Sequence, residues 1–133
     1  METGLQHLHR TLGYLVFFLS LANVVLALTK ARTDARAARL MDQVHRFGLL
    51  MAGRLNVVIG IATLAVVGWP WMTWWAWAGL LLWAPVEVVN KRLIAPELAI
   101  ARDGGTASTR LVAGAAIELV VIVAIFGLMS AQP

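Results

Sequence analysis

Four uninterrupted apolar runs leave this chain few ways to fold. TLGYLVFFLSLANVVLALT (11–29), FGLLMAGRLNVVIGIATLAVVG (47–68), PWMTWWAWAGLLLWAPVEVVN (70–90) and RLVAGAAIELVVIVAIFGLM (110–129) take up most of its 133 residues. Each is close to the roughly 20 residues a helix needs to cross about 30 Å of hydrocarbon at 1.5 Å per residue. A membrane barrel would show segments of about 10 residues alternating in polarity, and these runs do not alternate. An apolar content of 60% with only 14% charged residues lies outside the range of soluble domains, where about a quarter of residues are charged. The expected fold is an all-α integral membrane protein: one domain over residues 1–133, four transmembrane helices in an up-down bundle.

Charge sets the expected orientation. Lys30, Arg32, Arg36, Arg39 and Arg46 fall between the first two runs, and Lys91, Arg92, Arg102 and Arg110 between the last two. The GWPW turn and the SAQP tail carry none, which places both termini outside and both basic connections in the cytoplasm of a bacterial-type inner membrane. Anionic lipid head groups are the expected partner of that basic face, without nucleic acid. Trp69, Trp71, Trp74 and Trp75 crowd the opposite turn, where indole rings prefer the interface, and Trp77 and Trp83 lie deeper. The first run is read as retained, because its basic residues follow it and no A-x-A-type site precedes a mature domain. With no cysteine, thiolate catalysis and iron–sulfur ligation are excluded.

The first basic connection carries a helical pattern of its own. Ala37, Leu40, Met41, Val44, Gly48 and Met51 recur at helical spacing after Asp34, a natural N-cap, so helix two is expected to begin near Asp34 and project into the cytoplasm. In the second connection Pro96 is expected to open a short helix, Gly104 and Gly105 to end it, and Ser108 or Thr109 to cap helix four. Pro85 removes one backbone hydrogen bond and is expected to kink helix three near Glu87.

Arg54 interrupts the second run. If helix two projects, Arg54 snorkels to the cytoplasmic head groups, the favoured register; otherwise it must pair, because arginine at a helix centre costs about 2.5–3.5 kcal/mol on insertion scales. The candidate intramembrane polar cluster is Glu118, Arg54, Glu87 and Asn23, with Glu118 the first choice for function because no basic residue lies one turn away. Gly53, Asn56, Gly60 and Gly114 belong to small-residue faces that suit helix packing.

HLHRTLGY at 7–14 and VHRFGLL at 44–50 each place His-Arg before an apolar helix, an opening that resembles those of b-type haem membrane proteins. The resemblance implies haem b with His9 or His45 as ligand. Consecutive spans run antiparallel, which puts these two histidines on opposite faces, roughly 30 Å apart, where they cannot clamp one haem. His9 with Met72 or Met129 remains open, as does a site shared across a dimer. No metal triad is expected from three histidines divided between two faces. Three functions follow: a non-enzymatic helix-packing subunit of a homo-oligomer or larger membrane complex, which is favoured and needs no cofactor; a small oligomeric transporter or proton-coupled carrier using the Arg/Glu cluster; and a haem b or quinone redox subunit.

Overall fold

A computed structural model describes residues 4–68 and 74–130, apart from the Trp75 side chain. Among them the only regular structure is helical, with no strand, in four continuous helical segments joined by short turns. We label these α1 (Gly4–Thr29), α2 (Ala35–Val67), α3 (residues 74–102) and α4 (Arg110–Ser130). Three of them, α1, α2 and α4, are long and apolar enough to cross a membrane.

Local chemistry sets the ends. Asp34 has extended backbone and its Oδ1 accepts the Arg36 N–H at 2.9 Å, which caps α2. Gly68 closes α2 with φ +79°, a conformation that a Cβ would oppose. Ser108 Oγ accepts the Arg110 N–H at 3.2 Å at the start of α4. Two stretches depart from α-helical winding: Val44–Leu50 inside α2 and Asn90–Ile94 inside α3 are π-helical. Pro85 is accommodated within an unbroken helix, Trp74–Val89.

Beside the expected elements, α2 runs without a break from Ala35, and the short helix expected at Pro96 is present, though joined to α3 rather than set apart by Pro96. Pro96 falls in the first turn of Ala95–Arg102, which continues α3 through the π segment. Packing explains the continuation. Ala38 and Met41 of α2 meet Leu98 and Ala101 of α3, and Ala27, Ala31, Leu111 and Ala115 complete a buried cluster at what we call the basic end. The other boundary of the third run, residues 70–73, and the GWPW turn lie outside the described residues.

A second cluster of Val16, Leu49, Leu50, Ala52, Val86 and Ile122 occupies the middle of the bundle. The two clusters fix the helix register. Val16 and Ile122 share the middle cluster and Ala27 and Leu111 the basic-end one, so α1 and α4 are antiparallel; Leu19 faces Gly48 while Ala31 and Ala38 share the basic-end cluster, so α1 and α2 are antiparallel too. Phe18, Val25, Leu28, Leu81 and Val120 point outward and are well exposed, an apolar exterior compatible with a lipid environment.

Candidate functional site

Counting along these antiparallel helices places Ser20, Asn23, His45 and Glu118 at one level of the bundle, within about one helical turn of each other. All four are buried. His45 Nε2 lies 2.9 Å from both oxygens of Glu118, and the side chains are only 2% and 1% exposed. Each belongs to its helix's inward stripe: Met41, His45 and Leu49 on α2, and Leu111, Ala115, Glu118 and Ile122 on α4. His45 Nε2 and the Glu118 carboxyl thus partner each other. Ser20 Oγ and both amide atoms of Asn23 are buried with no hydrogen bond. Both π segments lie at this level, since Gly114 packs against Leu93 and Ile94 and Gly48 against Leu19. Extra-residue turns of this kind are frequent at functional sites, where they shift the direction of side chains relative to a regular helix.

Arg54 is held elsewhere. Its Nε and Nη2 donate to Glu87 Oε1 and Oε2, each at 2.9 Å, and Trp83 Nε1 donates to the same Oε1 at 3.0 Å. The fork geometry uses both carboxylate oxygens, which only arginine among the basic side chains can do in one plane. This pair is at the bundle surface, with side chains 52% and 35% exposed. In register Arg54 lies roughly 20 Å, and Glu87 roughly 16 Å, from the basic ends of α1 and α4, on helices of about 30–40 Å. Of the four residues of the expected polar cluster, the structure therefore joins Arg54 to Glu87. Glu118 pairs with His45 instead, and Asn23 shares the level of that second pair.

The glycines of the expected packing seam each seat side chains of a neighbouring helix. Gly53 lies against the Trp83 indole, Gly60 against the His9 ring, and Gly114 against Leu93 and Ile94. Gly79 does the same for Met129. A Cβ on Gly60 would come 2.9 Å from the His9 ring, too close for either to stay in place. Asn56 does not bond across the seam through its side-chain oxygen, which is buried without a partner; its backbone carbonyl accepts from His9 Nδ1 at 3.3 Å.

Between the halves of the helices remote from the basic end lies a cavity of about 550 Å³, within the usual range of small-molecule sites. His9, Asn56, Trp77, Trp83 and Met129 are among its walls. Val16 and Ile122, its deepest residues, are one turn from Ser20 and Glu118. His9 and His45 thus belong to different sites, roughly 20 Å apart along α2. His45 is committed to Glu118, whereas His9 shares the cavity with Met129; Met72 lies outside the described residues. No group of three metal-ligating side chains occurs among the described residues.

The basic end is tied by polar contacts that lie outside the apolar runs. Asp42 Oδ2 accepts from Arg46 at 2.8 Å and from Arg102 at 3.0 Å, joining α2 to α3. Glu97 accepts from the Ser108 backbone N–H and hydroxyl, both at 2.8 Å. The backbone N–H of Ser108, helped by its hydroxyl and by Arg110 and Arg32, holds the Glu97 carboxyl below the ordinary value. Arg32 and Ala107 exchange two bonds: Ala107 N–H donates to the Arg32 carbonyl at 2.8 Å, and Arg32 Nε donates back at 3.1 Å.

No family model matches this chain, and no curated protein or solved structure is similar to it.

The sequence offers His45 as a haem ligand and gives it no link to Glu118. A usable signal was present: His45 falls four residues from both Met41 and Leu49, on the apolar stripe of α2. Read that way, it faces inward, and an inward histidine in an apolar bundle needs a polar partner.

Proposed function

We propose that the chain crosses a bacterial-type inner membrane four times, with α3 as the fourth crossing and both termini outside. In this reading it acts as a non-enzymatic subunit of a homo-oligomer or larger membrane complex. One observation carries it: the Arg54–Glu87 pair is half exposed, midway along the bundle, on a surface otherwise apolar. Ionisable side chains at membrane depth almost always face a bundle interior or water. A second chain laid over this face removes the pair from acyl chains while the fork keeps both charges matched. Helix faces that associate in lipid use such polar contacts together with close packing, because apolar contact alone gives no preference over lipid.

The experiment is photo-crosslinking in native membranes from a benzophenone side chain at Val58, one turn from Arg54, and at Phe18, on the exposed surface of α1. Val58 is expected to give a protein–protein adduct and Phe18 only lipid adducts. Lipid adducts alone from both positions would contradict the reading.

A second reading, a proton-coupled carrier, is favoured by the His45–Glu118 pair with the unpartnered Ser20 and Asn23 beside it. Proton-linked uptake or flux in proteoliposomes that disappears with Glu118→Gln, at unchanged folding, is its test.

A further inference from the structure

The cavity has walls that select for a particular chemistry, independently of whether the bundle associates. The backbone carbonyl of Asn56 can only accept, so His9 Nδ1 must carry the proton of that 3.3 Å contact. In the neutral imidazole this leaves Nε2 with its lone pair, an acceptor. Asn56 Oδ1, a second acceptor, is buried and receives no hydrogen bond. Trp77 and Trp83 supply flat aromatic wall, and Met129 a soft thioether that packs well on ring edges. Gly60 and Gly79 keep His9 and Met129 close against α2 and α3, which holds open the space between them.

We propose that this cavity binds a lipid-soluble aromatic alcohol of the hydroquinone class, its ring between the aromatic walls and its hydroxyl donating to His9 Nε2 or Asn56 Oδ1. His9 Nε2 and Asn56 Oδ1 favour a ligand that brings its own proton, in a space that Gln6, Arg10 and Tyr14 also line. A ligand hydroxyl supplies the proton that a buried, unpaired acceptor lacks, and an ether does not. No redox step is required for this recognition.

The probe is duroquinol, titrated anaerobically into detergent-purified protein and followed by tryptophan emission, with its dimethyl ether as the donor-free analogue. Saturable quenching by duroquinol is expected, with binding of the ether weaker by about tenfold or more. His9→Phe, which keeps a ring against Gly60 but removes the acceptor, is expected to reduce the preference for duroquinol over the ether. If that variant does not fold, the two ligands on the unaltered protein still decide the matter. Absence of saturable quenching, or equal affinity for duroquinol and its ether, overturns the proposal.

Discussion

Two paired carboxyl groups of this bundle, Glu118 and Glu87, sit at neighbouring depths, yet their surroundings differ in almost every respect. His45–Glu118 is sealed, 2% and 1% exposed, at the level of two π segments and two unpartnered polar side chains. Arg54–Glu87 lies at the surface, forked and reinforced by an indole N–H. A sealed pair is expected to govern whether the bundle holds together, because removing one partner strands the other without solvent. A surface pair contributes little to a single bundle and matters through whatever covers it.

The sharpest way to break this contrast is to unpair each site in turn. Glu118→Leu leaves His45 buried without its acceptor and is expected to destabilise the detergent-solubilised protein by about 3–5 kcal/mol. Adding His45→Leu should recover much of that loss, as a thermal-unfolding double-mutant cycle will register. Independent, additive losses would show that the two side chains are not coupled.

Arg54→Met gives the second comparison. With the pair half exposed at the bundle surface, its loss in detergent is expected to be several-fold below that of Glu118→Leu on the same unfolding assay. A loss as large as that of Glu118→Leu would mean that the surface pair holds this bundle together by itself.

Acid supplies a third probe, directed at the basic end. Glu97 has a carboxyl held below its ordinary value by Ser108, so the folded protein binds its proton less readily than the unfolded chain. Its contribution is therefore complete above the ordinary carboxyl value and is lost as pH falls through the lowered one. Glu97→Gln should flatten that part of the acid-unfolding curve and leave the His45–Glu118 cycle unchanged. An identical acid limb in the variant would remove Glu97 from the linkage.

The clearest effect on topology comes from single cysteines in a chain that has none. Thr3→Cys and Ser130→Cys should react with an impermeant maleimide from outside intact cells, and Thr33→Cys and Ser108→Cys should not. Labelling of Thr33→Cys from outside would invert the orientation.

Much of the architecture is written in local sequence. Three of the four apolar runs mark helices long enough to span, and Asp34 with the 37–51 stripe marks where α2 starts, because capping and amphipathic spacing are properties of one segment. The polar residues Arg54, Glu87, Glu118 and Asn23 stand out for the same reason. Their partners do not, since pairing depends on the rotation and register of four helices against one another. A candidate pair of Arg54 with either acid is consistent with the sequence; only the stacking of Gly53 on Trp83 and Gly48 on Leu19 sets which acid Arg54 meets. The π segments have no residue signature that distinguishes them from α-helix. The cavity is less visible still, being a space between helices rather than a feature of any one of them.

The central claim is that the Arg54–Glu87 face is covered by protein. Extraction of the unaltered protein and of the double variant Arg54→Leu with Glu87→Leu into native-lipid discs, followed by mass measurement, tests it most directly. The unaltered protein is expected in discs holding more than one 14.4 kDa chain or a chain with a partner, and the double variant, folded and with unchanged helicity, as single chains. Single chains in both samples would contradict the account.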